Sequence, residues 1–240
     1  MGTPPGSNTH MVPALRSWWC VPFAALIYAL TLTAGFAVKA GGTLASEVGG
    51  EVTLSQGRTP ALVGLSMFIH YAIGPVGAVL ILLASFLILF LVRHDPLKAL
   101  AFVSVAGIGW AGSEAAKFLV GRPRPPADAV HALVSESGAT SFPSGHTAFA
   151  VALVWAVVLV IGRGSGQKAA LMVAGAAFVT LVAFSRLYLG VHYPSDVIGS
   201  VLISSATIIA WLPLWMNVLA PRLAGAAILQ RFAREISFSR

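Results

Sequence analysis

Charged residues and cysteine are scarce in this sequence. Asp, Glu, Lys and Arg make up 10% of the 240 residues, whereas an ordinary soluble domain carries about 25%. This low share excludes a typical soluble protein. The single cysteine, Cys20, excludes an internal disulfide and a cysteine-rich metal site. Since no basic stripe alternates with aromatic residues, the net charge of +7 does not indicate a nucleic-acid partner.

Apolar residues instead fill long segments, several of which reach the roughly 20 residues that cross hydrocarbon. We predict an all-α integral membrane protein with six transmembrane helices, near residues 18–38, 74–92, 97–118, 147–162, 169–188 and 197–218. The apolar stretch from Ala61 to Ile73 ends at Gly74-Pro75 and is too short to cross. We interpret it as an interfacial or re-entrant helix.

Three regions follow from this pattern. Residues 1–17 are rich in Gly, Pro, Ser and Thr and are expected to form a disordered or cytoplasmic arm. Residues 18–218 are expected to form a single six-helix membrane domain, and residues 219–240 a basic cytoplasmic tail. With the amino terminus inside, the cytoplasmic segments carry nine Lys and Arg against six outside. The positive-inside rule therefore favours cytoplasmic termini in a plasma membrane. An Ala- and Gly-rich chain with short loops is typical of bacteria.

Polar clusters interrupt the apolar segments at three places, and the predicted topology puts all three on the extracytoplasmic side. They are K-FLVGRP-RP from Lys117 to Pro125, PSGH from Pro143 to His146, and SR-LYLGV-H-YPS-D from Ser185 to Asp196. Cations and histidines at one membrane depth need a compensating anion or one another. A phosphate would supply that charge, and the long loop from Val120 to Pro143 also indicates function.

Each cluster offers groups suited to phosphate chemistry. The Gly-Arg-Pro turn can bring Lys117 and Arg124 to one point, where Arg186 arrives from another span; arginine forks match phosphate oxygens. Ser144 suits an N-cap, and a helix N-terminus attracts anions.

Two histidines complete the predicted chemistry. His146 can serve as a general acid near neutral pH. His192 and Asp196 are four residues apart, so the carboxylate can orient the imidazole as a nucleophile.

The three motifs, K-x6-RP, PSGH and SR-x5-H-x3-D, resemble in order and spacing the type 2 phosphatidic acid phosphatase (PAP2) superfamily, in its membrane lipid phosphatase branch. They extend over about a third of the chain. The resemblance implies that His146 is the acid, that His192 forms a phosphohistidine, that Asp196 orients His192, and that neither metal nor cofactor is needed. It also implies phosphate binding by Lys117, Arg124, Ser144, Gly145 and Arg186.

Two further residues are secondary candidates. Glu114 lies one helical turn before Lys117, which favours a structural pair over substrate contact. Arg122 is either an extra phosphate or headgroup ligand or a solvated loop charge. We interpret three other histidines as structural: His70, His94 and His131.

The family resemblance implies a lipid phosphate substrate, and we favour a polyprenyl (undecaprenyl or decaprenyl) diphosphate. Phosphatidylglycerol phosphate, phosphatidic acid and a polyprenyl phospho-sugar phosphate are the alternatives. A phospholipid-binding transporter, a vanadate haloperoxidase and a phosphatase of soluble esters are the rival classes. The headgroup, chain length and oligomeric state are left open by the sequence.

Overall fold

A computed structural model describes residues 13–41, 45–136 and 138–225, and the outer parts of the predicted arm and tail, residues 1–12 and 226–240, lie outside these ranges. The regular structure in the described ranges is helical, as predicted. The α-helices are α1 (Cys20–Ala40), α2 (Ala45–Gln56), α3 (Pro60–Ile73), α4 (Pro75–Leu87), α5 (Pro96–Val120), α6 (Ala127–Val130), α7 (Gly145–Ala156), α8 (Gly164–Tyr188), α9 (Pro194–Leu214) and α10 (Ala220–Gly225). π-Helical turns at Ile88–Val92, Val157–Ile161 and Trp215–Leu219 extend α4, α7 and α9, and a 3₁₀-helix, Pro13–Arg16, precedes α1.

Helix boundaries follow ordinary capping rules. Asp95 caps α5 by accepting a hydrogen bond from the backbone N–H of Lys98, and Pro96 occupies the first helical position. The same helix ends at Gly121, whose φ of 60° lies in the left-handed region. Extended backbone at Gly74 separates α3 from α4, which begins at Pro75.

Within the described residues, five helices are long and apolar enough to cross a membrane: Cys20–Ala40, Pro75–Val92, Pro96–Val120, Gly164–Tyr188 and Pro194–Gly225. The predicted span at residues 147–162 corresponds to a shorter apolar helix, Gly145–Ile161. At 1.5 Å per residue this helix is roughly 25 Å long. The count of six crossings therefore stays a prediction, with five crossings supported by length alone.

The long helices alternate in direction. At one end of the bundle, the Nζ atom of Lys39 near the end of α1 donates to the carbonyl of Val120 at the end of α5, 2.7 Å away. At the opposite end, the Arg16 Nε atom donates to Oδ1 of Asn217, just beyond α9. The described segments before α1 and after α9 thus lie at the same end.

The helix α3 contacts the first of these ends at both of its termini. The backbone N–H of Thr59 donates to Oη of Tyr188 at 2.7 Å, and the carbonyl of His70 lies 3.1 Å from Nε2 of His146. Tyr188 ends α8 and His146 begins α7. This geometry matches the interfacial or re-entrant interpretation of residues 61–73, because a crossing helix would separate its two ends.

The centre of the bundle is α7, which packs against α5, α8 and α9. Small buried residues on α7, among them Ala148, Ala152 and Ala156, allow these helices to approach closely. The buried ring of Phe142 fits between two glycines, since a Cβ atom at either Gly35 or Gly199 would lie 2.5 Å from it. Packing around α7 and Phe142 fixes the turn that begins α7.

Candidate active site

A cavity of about 270 Å³ opens where α5 ends and α7 begins. One part of its wall is apolar and the remainder carries charged or ionisable groups. The lining residues are Ile73, Pro75, Trp110, Glu114, Lys117, Arg124, Glu136, Gly138, Gly145, His146 and His192. Five of the eight predicted catalytic and phosphate-binding residues are therefore brought to one cavity from three separate motifs.

His192 lies in the link between α8 and α9. Its Nε2 atom is 3.2 Å from Nη1 of Arg124, and because a guanidinium only donates, Nε2 accepts and the ring proton of the neutral imidazole sits on Nδ1. Burial lowers the pKa of His192 well below its usual value, and the charges of Arg124 and Lys117 lower it further. The neutral ring thus directs Nε2 to the cavity, where its lone pair accepts from Arg124 until a ligand takes that donor.

Asp196 lies on the other side of this imidazole, in the first turn of α9. Its Oδ2 atom is 3.5 Å from Nδ1 of His192, longer than a hydrogen bond. The carboxylate is fully buried, and it accepts hydrogen bonds from Nη1 of Arg122 and from the backbone N–H of Tyr193, both at 2.8 Å. Two donors therefore fix the carboxylate beside Nδ1.

Arg122 does not line the cavity. Its buried guanidinium bonds Asp196 and also donates to Oε2 of Glu47 in α2 at 2.8 Å. The guanidinium carbon lies 3.9 Å above the ring of Tyr193. Burial lowers the pKa of Arg122, but the bonds and charges of Glu47 and Asp196 outweigh it and the pKa is raised. The structure therefore puts Arg122 on the Asp196 side of His192, where it is neither a ligand at the cavity nor a solvated loop charge.

Arg124 is the cavity cation nearest to His192. Its Nε atom donates to the carbonyl of Gly138 at 2.8 Å, and Nη1 donates to the carbonyl of Val191 at 2.9 Å. Both carbonyls belong to the loops that border the cavity. The guanidinium is thus held in place before any ligand binds.

Lys117 and Glu114 approach the cavity from the last turns of α5. Within the described part of the chain, neither residue makes an ion pair shorter than 4.0 Å, so the pairing favoured from the sequence is not formed. Gly145 lies against both, since a Cβ atom there would be 2.8 Å from Oε1 of Glu114 and 3.6 Å from Nζ of Lys117. The ammonium group is available to an anion.

Arg186 is fully buried and bonds two residues that the sequence did not single out for the site. Its Nη2 atom donates to Oε1 of Glu136 at 2.6 Å, and Nη1 lies 3.3 Å from Nδ1 of His70. The rings of His70 and His146 stack at 5.4 Å. His70 therefore lies against two predicted site residues, Arg186 and His146, and its interpretation as structural stays a prediction.

Glu136 contributes a carboxylate to a cation-rich cavity. Burial alone would raise the pKa of Glu136, but Arg186 and the other cations outweigh it and the pKa is lowered. The only sequence signal for this residue is its isolation, because no other ionisable residue occurs between His131 and His146. Its position could not be inferred from spacing.

Ser144 occupies the N-cap position of α7, yet its side chain does not cap the helix. Its Oγ atom accepts a hydrogen bond from Oγ1 of Thr147 at 3.2 Å. The carbonyl of Ser144 accepts from Oγ of Ser200 at 2.9 Å, and its N–H donates to the carbonyl of Asp196 at 3.3 Å. In this structure Ser144 ties the PSGH turn to the first turns of α9.

A metal site was not predicted, but one cluster has suitable ligand atoms. Those of His70, Glu136 and His146 lie within 4.8 Å of one another. Arg186 already contacts Glu136 and His70, so a divalent cation would meet its positive charge. The Arg186 guanidinium therefore disfavours a divalent cation at this cluster.

Comparison with known proteins places this fold and site in one family. The family model described as "PAP2 superfamily" matches residues 97–219, which include all three motifs and about half of the chain. The chain belongs to the PAP2 superfamily, as the resemblance predicted.

Two curated bacterial relatives share part of the sequence. A phosphatidylglycerophosphatase B of Haemophilus influenzae is 39% identical over 92 residues, which cover 36% of this chain and 34% of the relative. The undecaprenyl-diphosphatase BcrC of Bacillus subtilis is 39% identical over 83 residues, 34% of this chain and 39% of the relative. The chain thus spans between a third and two fifths of the length of these relatives.

A solved structure shows the same fold over a longer range. It is the crystal structure described as that of the first transmembrane PAP2 type phosphatidylglycerolphosphate phosphatase from Bacillus subtilis, and it covers 83% of this chain and 96% of that chain. The TM-score is 0.64 at 20% sequence identity. The helical arrangement therefore extends well beyond the residues that carry the motifs.

Proposed function

We propose that this protein is a membrane lipid phosphatase that cleaves a lipid phosphate or diphosphate through a phosphohistidine intermediate. The observation that carries the proposal is the neutral imidazole of His192, whose Nε2 lone pair faces a cavity containing Lys117, Arg124 and His146. Phosphoryl transfer without a metal requires a nucleophile, cations that stabilise the phosphoryl oxygens and a group that moves a proton, here a second imidazole.

In the proposed first step, Nε2 of His192 attacks phosphorus and the bond from phosphorus to the leaving oxygen breaks. Lys117, Arg124 and Arg186 neutralise the charge on the remaining phosphoryl oxygens. The imidazole gains positive charge as the P–N bond forms, and Asp196 beside Nδ1 stabilises that charge. In the second step water attacks phosphorus, the P–N bond breaks, and inorganic phosphate leaves.

His146 is proposed to move the proton in both steps. A carbonyl oxygen only accepts, so the contact with His70 places a proton on Nε2 of His146. A phosphate beside the ring favours the doubly protonated imidazolium, which can protonate the leaving oxygen. The same ring then takes the proton of the attacking water.

A lipid substrate is supported by the wall of the cavity. Ile73, Pro75 and Trp110 form its apolar part, and α4 presents many exposed leucines and valines. A headgroup in the cavity would leave its apolar tail beside these helices, in the bilayer. We propose the site to be extracytoplasmic in the plasma membrane, with both termini cytoplasmic.

The proposed substrate is a polyprenyl diphosphate, because the Bacillus subtilis relative BcrC is named an undecaprenyl-diphosphatase. Phosphatidylglycerol phosphate is the second candidate, because it appears in the name of the Haemophilus influenzae relative and of the matched structure. Both lipids offer a terminal phosphoryl group to the nucleophile. It is held by a phosphoanhydride bond in the diphosphate and by a phosphate ester bond in phosphatidylglycerol phosphate.

The test is phosphate release by the purified protein in the presence of a chelator. The panel holds a polyprenyl diphosphate, phosphatidylglycerol phosphate, phosphatidic acid and a soluble phosphate ester. We expect one lipid to be preferred and His192→Asn to abolish its turnover. His94→Asn is the matched control, since His94 is exposed and its φ of 52° suits asparagine.

Two results would contradict the proposal. If His192→Asn retains turnover, His192 is not the nucleophile. If the chelator abolishes activity, the mechanism requires a metal ion. Lipid transport that persists in both His192→Asn and His146→Asn would instead favour a phospholipid-binding transporter.

A further inference from the structure

The helix α2 reaches the rear of the proposed nucleophile through one acidic side chain. Oε2 of Glu47 accepts a hydrogen bond from Nη2 of Arg122 at 2.8 Å, and Nη1 of the same guanidinium donates to Asp196 at 2.8 Å. Asp196 in turn lies 3.5 Å from Nδ1 of His192. Hydrogen bonds thus link Glu47, a residue outside the three motifs, to the carboxylate that lies beside the imidazole.

Glu47 also contacts the backbone next to Asp196. Its Oε1 atom accepts from the backbone N–H of Ser195 at 3.0 Å, next to Asp196 at the start of α9. The Glu47 carboxylate is mostly buried, and burial alone would raise its pKa, but the bonds from Ser195 and Arg122 outweigh this effect and the pKa is lowered. Glu47 is therefore an anion held at a fixed place.

The charges in this network are unequal. Glu47 and Asp196 are two carboxylates that share the single guanidinium of Arg122. The buried Glu51 adds no charge near neutral pH, because burial and then the charges of Asp196 and Glu47 raise its pKa to about 8. One negative charge thus remains uncompensated on the Nδ1 side of His192, and it stabilises the positive charge that forms on the ring when Nε2 attacks phosphorus.

We propose that Glu47 is a positioning residue for the phosphoryl-transfer reaction, which acts through Arg122 to hold Asp196 against Nδ1 of His192. Without Glu47, Arg122 would be free to pair with Asp196 alone and to neutralise it. The inference rests on the proposed function, in which His192 is the nucleophile.

The kinetic test is a double-mutant cycle in Glu47 and Asp196. Glu47→Gln keeps the size and polar atoms of the side chain but removes its charge. We expect kcat to fall about tenfold with little change in KM, by analogy with the roughly 10–100-fold cost of removing an outer-shell partner of a metal-bound histidine. In an Asp196→Asn background the same change should alter kcat by less than about twofold, because the partner through which Glu47 acts is gone.

Glu51→Gln is the matched control, since it lies one turn further along α2 and is more deeply buried. It should leave kcat unchanged at neutral pH, where Glu51 already carries a proton. Unaltered kcat in Glu47→Gln, or an equal loss of kcat with and without Asp196, would overturn the proposal. A fall in thermal stability alone, without a loss of kcat, would show that Glu47 serves only the fold.

A second measurement needs no turnover and separates this proposal from the proposed function. Nitrogen-15 NMR of histidine-labelled protein in detergent reports the tautomer of each imidazole, and the His192 signals are those missing from His192→Asn. We expect the Nδ1–H tautomer in the native protein and a mixture of tautomers in Glu47→Gln. If no lipid is hydrolysed, the proposed function fails, but the NMR measurement still tests the role of Glu47. An unchanged His192 tautomer in Glu47→Gln would refute that role.

Discussion

Arg124 donates a hydrogen bond to Nε2 of His192 across 3.2 Å, so the cation and the proposed attacking atom are already in contact. The carbonyls of Gly138 and Val191 hold the same guanidinium. A phosphate that accepts hydrogen bonds from Arg124 would therefore be brought directly to the lone pair on Nε2. Binding and orientation of the phosphate follow from one fixed side chain.

Replacing Arg124 with lysine tests this arrangement. A lysine keeps the charge but cannot reach both carbonyls and the imidazole in the same geometry. We expect kcat/KM to fall about 100-fold, the scale on which loss of one oriented donor acts. Steady-state phosphate release measures the effect, and Arg93→Lys, an exposed arginine beyond α4, is the control. Activity of Arg124→Lys equal to that of the native protein would mean that charge alone suffices.

Glu136 should compete with anionic ligands for Arg186. The two side chains are 2.6 Å apart, and Arg186 is fully buried. A phosphate must separate this pair, whereas in Glu136→Gln the buried guanidinium lacks its charged partner and gains more from binding an anion. We expect inorganic phosphate or vanadate to inhibit Glu136→Gln at concentrations about tenfold lower, a difference of about 1.4 kcal/mol.

The control for this measurement is Asp128→Asn, an exposed acid in the same loop region. It should leave the inhibition constants unchanged. Weaker inhibition of Glu136→Gln would contradict the competition and would assign Glu136 a direct part in ligand binding.

The sequence predicted the helices and the meeting of the motif residues, but not every residue that contacts them. Long apolar segments predicted the helices because length and hydropathy act locally, and the break at Gly74-Pro75 separated α3 from α4. The motif spacing predicted that Lys117, His146 and His192 meet, and the structure brings them to one cavity. The role of each residue stays a prediction, since geometry alone does not test chemistry.

Other partners could not be predicted, because they meet only through tertiary packing. Glu47 contacts Arg122 from 75 positions away, and Arg122 contacts Asp196 from 74. The local sequence around Arg122 does not distinguish an arginine buried between two acids from one exposed in a loop. His70 likewise reaches Arg186 only because α3 lies across the end of the bundle.

Glu51 should make the stability of the protein depend on pH. Its buried carboxylate oxygens have no hydrogen-bond partner among the residues that the structure describes, and burial followed by the charge of Asp196 raises its pKa from 4.5 to about 8. Between these values the native state holds a proton that the unfolded state releases. The free energy of unfolding therefore falls as the pH rises through this window.

Glu51→Gln should remove this dependence, so its stabilising effect grows from pH 4.5 towards pH 8. Thermal unfolding in detergent measures it, and each kcal/mol corresponds to about 2–4 °C in Tm. Glu47→Gln on the same helix is the contrast: the pKa of Glu47 is lowered, so this change should destabilise without flattening the slope. An equal gain for Glu51→Gln at every pH would show that Glu51 is ionised throughout.

Gly199→Ala should disturb the turn that begins α7. The new Cβ atom would lie 2.5 Å from Cε2 of Phe142, and the ring cannot move away because Gly35 supports its opposite edge equally closely. Overpacking of this kind costs about 1–3 kcal/mol, which corresponds to a fall in Tm of roughly 2–12 °C. Because Phe142 is two residues before Ser144, kcat should fall as well.

A matched glycine and a compensating change make this last result specific. Gly107→Ala, also within a long helix, meets no heavy atom within 4 Å, so its Tm should be equal or higher because alanine favours helix by about 1 kcal/mol over glycine. Phe142→Leu added to Gly199→Ala should recover part of the Tm, since a smaller side chain relieves the contact. If Gly199→Ala keeps the native Tm and kcat, the two glycines do not fix Phe142, and the PSGH turn must be held by the bonds of Ser144 to α9 alone.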